Sequence, residues 1–280
     1  LVFGAPIASE PTTASSHQGR SIRVPEDHSS IAEALAASQP NDRILIGPGT
    51  YQETVHLPDH NLMLISTDGP EVTLLDGGSN SLHAPRQPHQ PPNGVIRMGP
   101  YAGQVELQGF TIQHGWSNEG GGLRVAGGMI TAKDCHFKGC NSTFGGAVCV
   151  LGGRAELLHC TLVDCAATFG GGLAVIAGEL GLTSTSTERC VAHASGGGAW
   201  CDNGGTLNAN DSNWNHCHAS QGGGLGIQGY VQVENSSIQH CQSEGHGGGL
   251  QLTAAACGVL RSVTFGENQA ANGGGIAVEA

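Results

Sequence analysis

Charge and aromatic side chains are both scarce in this 280-residue chain, with 12% of residues charged and 4% aromatic. Its 11 Lys and Arg are dispersed, which excludes a nucleic-acid partner, because phosphate recognition needs a concentrated positive surface. No apolar run approaches the roughly 18 residues that a membrane-crossing helix requires, so no transmembrane segment is expected. Only 12 prolines occur and glycine keeps no every-third-residue period, which excludes a collagen helix. A disordered chain is excluded too, because the 38% of hydrophobic residues are regularly placed. The formal net charge is −12.

Glycine is what the chain has in excess, with 46 residues, and an excess of that size calls for a search for repeats. A run of three small residues followed by an apolar one begins at Gly120, Gly145, Gly170, Gly196, Gly222, Gly247 and Gly273, at intervals of 25, 25, 26, 26, 25 and 26 residues. Alignment on these runs exposes columns. Leu123/Val125, Val148/Val150 and Leu173/Val175 alternate with period 2, as do Ile130/Ala132, Ala155/Leu157 and Leu180/Leu182 further along each repeat. A third alternating segment carries Cys135/Phe137 and Cys160/Leu162, and three residues beyond it comes a column of Cys140, Cys165, Cys190, Cys217, Cys241 and Asn268. Period-2 alternation in such short segments means strand. Three strands per repeat, joined by turns too short for crossover helices, predict an all-β, right-handed parallel β-helix with about 25 residues per coil. The glycine runs are the turns that close each coil, and the Cys/Asn column is an interior ladder at another turn.

The ends depart from the repeat. Ser30-Ile31-Ala32-Glu33 is a capping box opening a short helix to about Ala37, read as the N-terminal cap of the coil. The expected organisation is a disordered or leader remnant over 1–20, the cap and first coils over 21–78, a Pro-rich loop over 79–94 and regular coils over 95–280 without a C-terminal cap.

Two resemblances follow from these residues. Thr264-Phe265-Gly266-Glu267-Asn268, followed by Gly273-Gly274-Gly275-Ile276, resembles the paired motifs of polymorphic outer-membrane-protein repeats, over about residues 105–280, with Cys replacing Asn in five coils. Residues 31–55, ending Ile46-Gly47-Pro48-Gly49-Thr50-Tyr51-Gln52-Glu53-Thr54-Val55, are similar to the first coil of pectin-lyase-like proteins, pectinesterases among them. Both imply a right-handed β-helix. The pectinesterase catalytic signature, a Gln-Asp-Thr stretch with a second Asp and a downstream Arg, has no counterpart.

Chemistry-bearing residues fall into a few columns. Asp134, His159, Ser184, Asp211 and Asn235 share one turn position on successive coils; they read as turn formers, or alternatively as a catalytic set drawn from Asp134, His159 and Asp211. His216 and His240 are equivalent positions one coil apart, candidates for a shared metal. The outward column of the first strand runs Arg124, Cys149, Ala174, Trp200, Gly226, Gln251 and Ala277, a weakly polar face on which Trp200 and Arg124 are candidate anchors for a partner. By parity Cys149 and Cys257 point outward and are candidate reactive thiols.

The expected function is a non-catalytic structural or adhesive interaction module, secreted or on the cell surface, that meets a protein partner or a polysaccharide surface. The first alternative is a carbohydrate-active enzyme of the pectin-lyase-like fold, a lyase, hydrolase or esterase; no cofactor is expected, with calcium admitted only under this enzymatic alternative. The second is a subunit of a larger assembly, joined through the uncapped C-terminal coil. An extracellular or cell-surface location is expected from residues 1–8, which read as the tail of a cleaved signal.

Overall fold

The computed structural model describes residues 19–78 and 94–279, so the expected leader and Pro-rich loop lie outside the described residues, apart from residues 19, 20 and 94. Over the described residues the chain winds as an all-β parallel solenoid of about 10 turns, each of about 25 residues, with a single helix. One coil comprises Leu123–Val125, Met129–Lys133, His136–Lys138 and Asn141–Phe144. The next coil repeats it in register, pairing Leu123 with Val148, Ile130 with Ala155, Phe137 with Leu162 and Asn141 with Ala166. Among the described residues stacked coils make three parallel sheets of 17, 9 and 6 strands, and the long sheet takes two strands from a regular coil, which run together as one in Leu173–Thr183 and Ala199–Asn210.

The coil therefore has four strands, where alternation predicts three. The fourth, exemplified by Asn141–Phe144, turns only one residue inward per coil, and that residue is small: Ser117, Ser142, Ala167, Ala192, Ala219 and Ser243 form its buried file. A strand burying a lone Ser or Ala has no hydrophobic alternation to read.

Two corners of each coil use the same device. Asp134, His159, Ser184, Asp211 and Asn235 sit at φ between 47° and 52°, the left-handed region, which Asn, Asp and His tolerate best among non-glycine residues. A small buried residue follows each. Cys135, Cys160 and Thr185 donate to a carbonyl of the preceding coil, as in Cys160 Sγ to Ala132 O at 3.4 Å and Thr185 Oγ1 to Leu157 O at 3.1 Å, whereas Ser212 and Ser236 donate to the carbonyl two residues back and accept from Thr185 N and Ser212 N of the coil before. At the second corner Cys190 Sγ lies 3.9 Å from Leu162 O and Cys241 Sγ 3.8 Å from Trp214 O. Asn268 ends that ladder and makes the same contact with an amide, Nδ2 to Ile238 O at 2.8 Å, while its Oδ1 accepts from Cys241 N at 2.9 Å. Thiol and amide thus do one job: they satisfy backbone carbonyls that the corner buries.

The third corner belongs to glycine. The first residue of each run has φ between 59° and 71°, and at the second position a Cβ on Gly146 would stand 2.2 Å from Gly171 O. Inside, Phe110, Phe137 and Trp214 fill the coil with stacked aliphatic files.

The helix Ile31–Ala37 closes the N-terminal end. Ser30 Oγ caps it by accepting from Glu33 N at 3.2 Å, while Glu33 itself accepts from Ser29 N and Oγ. Glu53, from the stretch that resembles pectin-lyase-like proteins, accepts from Ile31 N and Ala32 N at 3.0 and 2.8 Å, and Tyr51 Oη donates to Gly47 O. Of that motif Glu53 therefore serves the cap, while Tyr51 fastens the turn at Gly47.

Replacing Trp214 by Ala should cost about 3–5 kcal/mol, read from the urea midpoint. Burial pushes the Cys149 and Cys201 thiols up to about 12, and burial followed by contact with the Cys160 thiol pushes Cys135 well above its ordinary value of 9.0. The unfolded chain releases these protons near pH 9.0 while the folded chain keeps them, so stability should fall as pH rises above that value and be fully present below it. Urea midpoints measured across the alkaline range should fall steadily, and a flat profile would refute buried, protonated thiols.

Candidate functional site

Parallel register carries each outward side chain of the long sheet directly over its counterpart. One file at the second strand position runs Met63, Glu106, Thr131, Glu156, Gly181, Asn208, Gln232. A groove of about 180 Å³ opens on it, lined by Arg154, Glu156, Glu179, Gly181, Asn208, Asn210, Gln232 and Glu234. Arg154 organises one wall. Its Nε donates to Glu156 Oε1 at 2.7 Å and its Nη1 to Glu179 Oε2 at 3.2 Å, and the hydrogen bond and charge of Glu156 hold the guanidinium above its ordinary pKa. Glu179 Oε1 accepts from Asn208 Nδ2 at 2.9 Å, so both oxygens of Glu179 are occupied. On the far wall Glu234 Oε1 accepts from Gln232 Nε2 at 3.1 Å and Arg261 Nη1 at 2.8 Å.

Glu156 differs from Glu179. Every hydrogen bond it makes among the described residues lands on Oε1, while Oε2 lies over Gly181, where a Cβ would stand 2.1 Å away. Glycine at position 181 therefore makes room for an open carboxylate oxygen at the floor of the groove. A carboxylate anchored by a guanidinium at one oxygen and open at the other is fixed in orientation, with an acceptor left for a hydroxyl or a water. Alternation along the second strand carries the signal for this file; the outward column read above belonged to the first strand.

The sequence candidates lie elsewhere. Asp134, His159 and Asp211 occupy left-handed corners between sheets. His159 Nδ1 is 3.6 Å from Asp134 Oδ1, with both side chains more than half exposed, and Asp211 accepts from Asn210 Nδ2 at 2.7 Å two coils further on. His216 and His240 stack with ring centroids 4.7 Å apart, and His240 Nδ1 lies 3.3 Å from Glu267 Oε2. Among the described residues no group of three or more His, Cys, Asp or Glu side chains is arranged to hold a metal.

Trp200 and Cys149 require correction. Both point away from the main core, as parity predicts, yet Trp200 is 5% exposed and Cys149 fully buried. The unforeseen fourth strand supplies the cover: Phe144 and Phe169 stack at 5.5 Å and close over Trp200, at 5.9 and 4.9 Å. With Cys149 and Ala174 they form a second, smaller apolar cluster in the concave corner outside the coil. Trp200 is thus a packed residue and Cys149 a protected thiol. Arg124, at the end of the same corner, donates to Glu119 Oε2 at 2.8 Å.

No protein-family model matches the chain, and no curated protein matches it either. Among solved structures it is similar to pectin methylesterase PemA from Erwinia chrysanthemi, with a TM-score of 0.51 and 13% identity over 88% of this chain and 81% of that one. The pectin methylesterase from carrot aligns over 97% of this chain and 90% of that one at 14% identity, with a TM-score of 0.38. The fold is that of the pectin-lyase-like parallel β-helices.

Asp134→Gly should leave stability within about 1 kcal/mol of the parent, whereas Asp134→Val should cost about 1–2 kcal/mol, as a left-handed turn position requires. Equal losses in urea denaturation would point to a role for the carboxylate itself. With nine thiols buried and Cys257 exposed, a small thiol reagent should modify one of the 10 cysteines in the native protein and all of them in denaturant. Rapid native modification of Cys149 would contradict its burial.

Proposed function

We propose that the chain is a carbohydrate-active protein of the pectin-lyase-like fold, in which a polysaccharide lies along the outer face of the long sheet and reacts beside Glu156. The observation that carries this reading is the Glu156 carboxylate, anchored at Oε1 by Arg154 and open at Oε2 over Gly181. A lyase, a hydrolase and an esterase each need a base to take a proton from the sugar or from water, and a positioned carboxylate with one unpartnered oxygen is the group for that role. The amides of Asn208, Asn210 and Gln232 each keep a second amide hydrogen beyond the one given to Glu179, Asp211 and Glu234, a donor that a sugar hydroxyl can meet. The likeness to PemA supports the fold on which such chemistry sits and leaves the bond to be broken open.

A second reading is a surface module that binds glycan without turning it over. The likeness of residues 264–276 to outer-membrane-protein repeats favours it, and so does the full engagement of Glu179 by Asn208 and Arg154. An extracellular or cell-surface location accompanies either reading. Among the described residues no helix is long and apolar enough to cross a membrane.

The deciding experiment incubates the protein with acidic and neutral polysaccharides, with and without calcium, and follows new reducing ends, unsaturated products and released alcohol or acid. Turnover should appear with one substrate class and fall about 10²-fold or more in Glu156→Gln, with the thermal midpoint unchanged. Binding without turnover in the parent would favour the non-catalytic module instead. Gly181→Leu, which fills the floor, should abolish both.

A further inference from the structure

We infer that the ligand of this outer face is a long, uncharged polysaccharide that spans two abutting grooves, an inference that rests on the carbohydrate reading above. The second groove, of about 280 Å³, lies on the same file towards the N-terminal end, and its lining includes Asn61, Met63, Gln104, Glu106, Met129 and Thr131. Thr131 in its wall is the register partner of Glu156 in the first groove, so the two meet with no coil between them. From Met63 to Gln232 the file makes six steps, which at about 4.8 Å per step gives a straight track of about 29 Å parallel to the coil axis.

Charge balance along this track selects the ligand class. Glu106 is paired with Lys133 at 2.7 Å, Glu156 and Glu179 with Arg154, and Glu234 with Arg261 at 2.8 Å. Four carboxylates thus face three cations, and each cation is already engaged; the track's net charge is 3 − 4 = −1, in a chain of −12. A polyuronate would lay its carboxylates beside the open oxygen of Glu156 with no surplus cation to meet them, a repulsion that a partly buried groove screens weakly. The uncharged lining suits hydroxyls and ring faces. Asn61 spends its Oδ1 on Gln104 N at 2.7 Å, its amide nitrogen remains a donor on the groove wall, and Met63 and Met129 supply adaptable apolar surface for sugar rings. The track is the face of a sheet, where main-chain groups are already paired between coils, so it offers no strand edge to an extended peptide.

The test uses the full parent chain, which keeps the Glu156 charge on which the discrimination rests, with product formation followed in each titrated sample so that binding is read apart from turnover. Neutral glucan, xylan and mannan oligosaccharides of increasing length are titrated calorimetrically beside polygalacturonate oligomers of matching length. Affinity for one neutral series should rise about 10-fold or more with length and level off once the ligand covers about 29 Å, while the uronate series binds more weakly at every length. The double variant Met63→Ala/Gln104→Ala should lose the gain of the long ligands and keep the affinity of the short ones. Tighter binding of the uronates, no dependence on length, or no neutral ligand bound would each overturn the inference. Length-dependent neutral binding with no turnover by the parent protein would remove the catalytic reading and leave this one standing, whereas turnover confined to polyuronates would do the reverse.

Discussion

Everything in this molecule depends on corners that bury backbone carbonyls and then satisfy them from one coil to the next. A residue in the left-handed region turns the chain, and the small side chain after it donates to the carbonyl below, whether that side chain is Cys, Thr or Asn. Such contacts are modest singly, but an unmet carbonyl in a dry interior is expensive, so the corners keep successive coils aligned, and the register shifts that occur fall away from them, at Ala167/Phe169, Val175/Ala177 and Ala192/Ser195. A slip of one residue would send each inward side chain to the outer face.

Fixed register converts sequence columns into physical files, and the outer face inherits the consequence. Arg154 reaches Glu156 on its own strand and Glu179 on the next coil because the two strands align Arg154 with Glu179. The open oxygen of Glu156 depends on the same alignment, which places glycine rather than a side chain above it. The geometry proposed for function is thus a by-product of the stacking that makes the fold.

Two files that look alike in the sequence end in different surroundings. Cys149, Ala174 and Trp200 alternate outward on the first strand just as Glu156, Gly181 and Asn208 do on the second. The first file lies in a concave corner beside the fourth strand, where Phe144 and Phe169 close over it, whereas the second lies on an open face. Parity tells which way a side chain leaves its strand, and only the neighbouring strand decides whether water follows.

The amino-acid sequence by itself determined the coil: the glycine interval, the alternating strands, the Cys and Asn ladder and the capped N-terminal helix all follow from local rules that repeat, and repetition makes weak signals add. Tertiary structure alone decided which outward residues share a groove, that Trp200 is covered, and that one oxygen of Glu156 stays open. Those outcomes rest on side chains reaching across coils and on a strand whose buried residue is a single Ser or Ala, and neither leaves a periodic mark in the sequence.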